Sequence, residues 1–197
     1  MLNIRIKSTN MRRGIILLAY LFFVSITLFA QNETSTISQH KGTFFVDFYA
    51  GTQVSGIRKE DYVSSNFAPY YQLSLGKWIV PYLAVSINYQ GPYFHYISDN
   101  FKHKYFYIDG QVILDINSLF KTQYKALNIQ VIAGGGLFYN LFYDRPNVCG
   151  TIGLLNEFKV TKTVSFKLKL ASIMGWDIYQ NDEDILTNLS LGLSIAF

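Results

Sequence analysis

The chain has 197 residues, of which 50% are hydrophobic, 15% charged and 17% aromatic, with 15 Tyr and 16 Phe. That apolar content excludes a disordered chain, and the length suits one domain. Four of the 17 basic residues, Arg5, Lys7, Arg12 and Arg13, lie in the first thirty positions, leaving 13 against 13 acidic residues, so the rest is neutral and no nucleic-acid partner is implied.

Those four basic residues precede an apolar run from Gly14 to Phe29 that ends in Ala30 and Gln31, the layout of a secretory signal peptide over residues 1–30. Met11 is an alternative start to Met1, because MRRGIILLAY is itself a charged stretch followed by an apolar one. An uncleaved anchor needs about 20 apolar residues, and this run is shorter. Cys149 is the only cysteine, so no intramolecular disulfide is expected in an oxidising compartment. Residues 31–42 form a polar, Ser/Thr-rich lead-in on the periplasmic side.

From there the sequence alternates at period two, the signature of half-buried strands. Thr43 to Gly51 sets Phe44, Val46 and Phe48 against Phe45, Asp47 and Tyr49, and a polar loop is expected from Thr52 to Pro69. Tyr70 to Lys77 and Tyr82 to Gln90 form the next two strands, joined by a tight turn at Trp78 to Pro81. In them Leu73, Leu75, Val85 and Ile87 oppose Gln72, Ser74, Ser86 and Asn88. A polar and aromatic loop, Gly91 to Lys104, precedes a strand from Tyr105 to Asn117, in which Ile108 and Val112 oppose Asp109, Gln111 and Asp115. Asn128 to Tyr139 follows the connection Ser118 to Leu127, with Gln130, Gly134 and Gly136 inward. After the loop Asn140 to Asn147 comes Val148 to Phe158, the least regular strand, since Asn156 shares a face with Ile152 and Leu154. Thr163 to Gly175 alternates Phe166, Leu168 and Leu170 with Ser165, Lys167 and Lys169, and the loop Trp176 to Leu186 leads to the last strand. That strand, Thr187 to Phe197, has an unbroken apolar face and an opposite face of small residues.

About eight strands, joined alternately by longer loops and shorter turns, make an all-β protein: an eight-stranded antiparallel transmembrane β-barrel over residues 43–197. With both ends in the periplasm, the loops 52–69, 91–104, 140–147 and 176–186 face outward. An inner aromatic girdle is expected from Trp78, Tyr82, Phe120, Tyr124, Phe158 and Phe197. An outer one is expected from Tyr70, Tyr93, Phe94, Tyr105, Tyr139 and Trp176.

The stretch from about residue 43 to 197 resembles small outer-membrane β-barrels of the OmpA/OmpX-like type. In more detail, SLGKWIVPYLAVSINYQG and ILDINSLF followed by VIAGGGLFYN resemble segments of barrel proteins common in Bacteroidota. The resemblance implies the outer membrane of a Gram-negative bacterium, with lipopolysaccharide among the surrounding lipids. It also implies that Phe197 is part of the terminal signal read by the barrel assembly machinery; with no residues after Phe197, an OmpA-type peptidoglycan-binding domain is not expected. No cofactor is implied.

The inward polar residues Asp47, Asp109, Gln111, Asp115, Gln130, Glu157, Lys167 and Lys169 are expected to fill the bore as a polar network, with Glu157 and Lys167 near enough to pair. An ion path is the rival reading of the same residues. His95, with Ser98 and Asp99 nearby, and His103 have the residue types for acyl transfer at the level of the outer leaflet. Their spacing does not reproduce the His-x-Ser arrangement of the lipid A deacylases, and no catalytic residue is assigned. Asp177, Asp182, Glu183 and Asp184 lack the spacing of a calcium loop and read as a solvated acidic loop, not a metal site. Gly134, Gly135 and Gly136 lie inside a strand and indicate close wall packing or a bend rather than a phosphate cradle. The expected function is a non-enzymatic structural or surface-binding barrel acting through its outer loops. An accessory subunit of an envelope secretion or assembly complex is the alternative, and a lipid A-modifying acyl hydrolase or transferase the third.

Overall fold

The computed structural model describes residues 41–56, 67–97, 100–120, 128–178 and 183–197. The expected signal peptide and most of the expected lead-in lie outside them, as do the centre of the expected loop 52–69 and Tyr124. Eight strands follow one another: β1 (Phe44–Ser55), β2 (Phe67–Val80), β3 (Leu83–Tyr96), β4 (Phe101–Asp115), β5 (Asn128–Asn140), β6 (Arg145–Lys159), β7 (Val164–Trp176) and β8 (Glu183–Ala196). Each pairs antiparallel with its sequence neighbours, and β8 pairs with β1 to close the barrel. Closure reaches the last residue: Phe44 N donates to Phe197 O at 3.0 Å and Phe197 N to Phe44 O at 2.9 Å.

Period-two alternation decides which side chains line the bore. On β2, Tyr71, Leu73 and Leu75 are about half exposed on the outside, while Tyr70, Gln72 and Ser74 are buried. On β8, Leu189, Leu191, Leu193 and Ile195 point out, opposite Asn188, Ser190 and Ser194. The polarity is inverted relative to a water-soluble barrel, with the apolar face outside and the polar face inside.

The strands are longer than the sequence alternation predicts. β1 runs on to Ser55, and β3 and β4 extend to Tyr96 and from Phe101, so the expected loop 91–104 is mostly a β-hairpin. Aromatic residues there belong to paired strands at the mouth rather than to an exposed loop, which is where their β-propensity places them. At the other end Asp115 caps a single helical turn, α1 (Ile116–Leu119), its Oδ1 accepting from Ser118 N at 2.9 Å. Asn117, assigned above to a strand, therefore lies in α1.

The aromatic girdles also differ from expectation. Tyr70, Phe94, Tyr105 and Trp78 all face inward, between 0% and 4% exposed, because each falls on the inward parity of its strand. Tyr139 and Trp176 do lie on the outward face, and the aromatic contacts of the outer wall join outward residues on adjacent strands. Phe48 stacks near Tyr71 at 6.5 Å, Tyr89 near Phe106 at 6.4 Å, and Phe106 on Tyr139 at 5.2 Å.

The three consecutive glycines of β5 divide by parity. A Cβ on Gly134 or Gly136 would lie 2.1 or 2.0 Å from a carbonyl oxygen of β4, so close approach of the two strands requires glycine there. Gly135 faces outward, in register with Gly110 on β4 and Gly150 on β6.

Candidate functional site: the lumen and its mouth

All eight predicted lumen residues are inward and between 0% and 8% exposed. A water-filled bore would leave them accessible. Here they are packed against one another, as expected of an eight-stranded barrel.

Three connected groups hold the buried charges of the predicted network. Lys167 Nζ lies 2.7 Å from Asp47 Oδ2, which also accepts from Tyr49 OH at 3.0 Å. The expected Glu157–Lys167 pair is thereby corrected: the two residues are direct cross-strand partners, yet the ammonium reaches across β8 to β1. Gly192, the β8 partner of Lys167, is in register with Tyr49 rather than Asp47, and the Tyr49 ring lies over it where a Cβ would come within 2.5 Å.

The second group is a chain across β7, β2, β3 and β4. Lys169 Nζ donates to Gln72 Oε1 at 2.5 Å, and Tyr70 OH contacts both Gln72 Oε1 at 2.5 Å and Gln90 Oε1 at 2.8 Å. Gln90 Nε2 then donates to Asp109 Oδ1 at 3.2 Å. The other oxygen of Asp109 accepts from Gln111 Nε2 at 2.6 Å and Thr151 Oγ1 at 3.2 Å. Three donors on β3, β4 and β6 thus satisfy the buried Asp109 carboxylate.

The third group lies at the turn end. Glu157 accepts from Gln130 Nε2 at 2.9 Å, Asn128 Nδ2 at 3.3 Å and Ser165 Oγ at 2.7 Å. Asn128 also donates to Asp115 Oδ2 at 3.0 Å, which ties α1 to the same carboxylates. Beside them Phe45, Trp78, Ile113 and Ile132 form an apolar filling.

The mouth is packed with rings. Phe94 meets Tyr105 and Phe138 edge-on at 5.5 and 5.3 Å, and Tyr105 stacks on Phe138 at 4.7 Å. Below them Ile178, from the β7–β8 connection, is buried with Cys149, Ile173 and Leu186. His103 is 1% exposed, stacked between Tyr96 at 4.5 Å and Phe142 at 4.4 Å. It therefore faces the interior of the mouth and not the outer leaflet. His95 is also buried, at 3%, and Ser98 and Asp99 lie outside the described residues, so the described side chains do not assemble an acyl-transfer constellation.

The acidic stretch is not uniformly solvated. Asp177 pairs with Arg145 at 2.8 Å, and Asp184 is 1% exposed inside β8. Asp182 lies outside the described residues. Among the described residues no group of three His, Cys, Asp or Glu gathers as a metal site.

The alternation puts Gln72 and Asn88 inward without marking them as part of the network, the girdle expectation puts Tyr70 outside, and Gln90 carries no assignment. Their common signal is parity: each shares the buried face of its strand with a predicted network residue or its cross-strand partner.

No protein-family model matches the chain, and no curated protein does. Among solved structures it is similar to Neisserial surface protein A (NspA), at 17% identity and a TM-score of 0.50, over 80% of this chain and 100% of that one. It is also similar to the N-terminal β-barrel domain of Pseudomonas aeruginosa OprF, at 14% identity and a TM-score of 0.50, over 81% and 100% of the two chains. At these identities the likeness is one of fold: an eight-stranded antiparallel barrel of the outer-membrane kind.

Proposed function

We propose that the protein is a non-enzymatic barrel of the bacterial outer membrane that acts through its exposed rim, with the lumen serving as a structural core. The observation that carries this reading is the pairing of an apolar outer wall with a lumen filled by its own hydrogen-bonded side chains. Such a lumen offers neither a bore for solute nor a cleft for substrate, which leaves the rim and the wall as the surfaces available to partners. Rim residues open to contact include Phe101 at 71% exposure and Phe142 at 67%. Residues 1–30 direct export, and Phe197, which closes the β1–β8 seam, contributes to the assembly signal.

In this reading the hairpin tips near Asn100 and Tyr143 point to the cell exterior, while α1 and the turn at Thr161 face the periplasm. An epitope inserted at Asn100 tests this. It should be detected by antibody on intact cells, in a protein whose gel mobility shifts on heating. Detection only after the envelope is permeabilised would contradict the orientation.

A further inference from the structure

The outer wall is not uniform around the barrel. Charged side chains, tyrosines and His95 at the mouth apart, its outward polar side chains among the described residues are Thr52, Asn156, Ser172 and Thr187. All four fall on the contiguous strands β6, β7, β8 and β1, whereas β2 to β5 carry none. Thr52 is satisfied locally, its hydroxyl donating to Ala68 O at 3.2 Å. Ser172 and Thr187 bond each other at 2.8 Å, which uses one of their two hydroxyl hydrogens. Asn156 is different: its side-chain oxygen is covered by its neighbours and has no hydrogen-bond partner among the described residues.

The position of Asn156 makes that orphan costly. Its register row continues through Leu168 and Leu191, and beyond that row, toward the turn at Thr161, the wall is still apolar and exposed at Phe166, Leu193 and Ile195. The amide therefore lies inside the apolar band, where an unpaired polar group costs more than it does in contact with water. Between the levels of Asn156 and Ser172 the wall is hollowed by a groove of about 300 Å³, lined by Val131, Ile152, Leu154, Leu170 and Ser172. Leu154 stands at its edge, 54% exposed.

We propose that the β6–β7 wall is a docking surface, within the membrane, for a second copy of this chain, with each groove taking Leu154 of the other copy and the two Asn156 amides pairing across the contact. Acyl chains neither donate nor accept hydrogen bonds, so lipid leaves Asn156 unpaired, whereas a protein surface can pair it. The groups on this face select a copy of itself: an amide and hydroxyls each donate and accept, and no charge is present to demand an opposite one. Two copies inserted in the same orientation are related by a two-fold axis along the membrane normal, which sets each residue against residues at its own depth. Asn156 then meets Asn156 of the second copy, and a half-turn of the amide about χ2 brings its covered oxygen to the surface. The inference rests on the membrane placement proposed above and is independent of the outer loops.

The test is disulfide cross-linking of the folded protein in lipid vesicles, in a Cys149→Ser background. Leu154→Cys should give a dimer on oxidation with copper phenanthroline. Leu73→Cys, at a position equally exposed at 54% but on β2 across the barrel, should not. Energy transfer between barrels labelled at Thr161→Cys measures the affinity. Asn156→Leu should weaken association by about fivefold to tenfold while the heat-dependent gel shift is kept; Asn156→Ala serves if the leucine variant does not fold. Cross-linking of Leu73→Cys as strong as that of Leu154→Cys, or unchanged association of the Asn156 variant, would overturn the inference. So would a Leu154→Cys barrel that, in native outer membranes, cross-links to a different protein and not to itself. A barrel that does not enter lipid vesicles would contradict the membrane placement itself. One that enters them without forming the Leu154→Cys dimer contradicts only the docking surface.

Discussion

Lys167 and Asp47 stand 120 positions apart in the sequence and meet inside the barrel, Nζ 2.7 Å from Oδ2. Both are nearly inaccessible, at 3% and 2% exposure. The contact spans β8 and so links β7 to β1 next to the seam where the barrel closes. Removing one partner leaves an uncompensated buried charge, which costs about 3–5 kcal/mol. Asp47→Asn or Lys167→Met should each destabilise by that order, read from urea unfolding of the detergent-folded barrel. The double variant Asp47→Leu, Lys167→Met should recover most of the loss, since no ion is then left buried alone.

Glycine parity on β5 makes a second prediction. Gly136→Ala forces a Cβ to 2.0 Å from Ile108 O, a backbone clash that can be relieved only by parting the strands. It should abolish the heat-shifted folded form on gels. Gly110→Ala meets no atom and should keep that form, with a gain of up to about 1 kcal/mol from the better strand residue.

The two tryptophans should behave differently. Trp78 is 4% exposed and packs against Phe45 at 6.3 Å, whereas Trp176 is 63% exposed on the outer wall. Trp78→Ala should lower unfolding stability by about 3–5 kcal/mol through the cavity it leaves. Trp176→Ala should cost far less, and equal losses in the same urea titration would contradict the inward placement of Trp78.

At the mouth, Phe142 covers one face of the His103 ring. His103 should resist diethylpyrocarbonate in the folded barrel, and Phe142→Ala should raise its modification rate severalfold with the heat shift intact. Rapid modification in the wild type would show that the mouth is open.

Much of this architecture was legible in the sequence because a strand's period is two, so one correct parity assigns every residue on it. Asp47, Gln72, Asp109 and Lys169 are inward for that reason alone. Parity does not supply depth along the barrel or the diagonal reach of long side chains. Glu157 and Lys167 are cross-strand neighbours by register, yet the lysine reaches diagonally over β8 to Asp47, two positions along β1 from Tyr49, its register partner through Gly192. The suitability of rings for an interface points Tyr70, Phe94 and Tyr105 to the outer wall. Their inward parity places them in the bore instead. The outward row of Gly110, Gly135 and Gly150 is hidden in the sequence because its members become neighbours only through the register of three strands.

Val148 and Cys149 test the central claim most directly, since these adjacent residues are 80% and 2% exposed and point to opposite sides of the wall. The protein is reconstituted in lipid vesicles and treated with a charged, water-soluble maleimide or with a lipid-soluble one. The account predicts that Cys149 resists the charged reagent until the barrel is unfolded. It also predicts that Val148→Cys, in a Cys149→Ser background, reacts with the lipid-soluble reagent alone. Labelling of folded Cys149 by the charged reagent would mean an open lumen, and labelling of Val148→Cys by it would mean a wall facing water; either result would contradict the account.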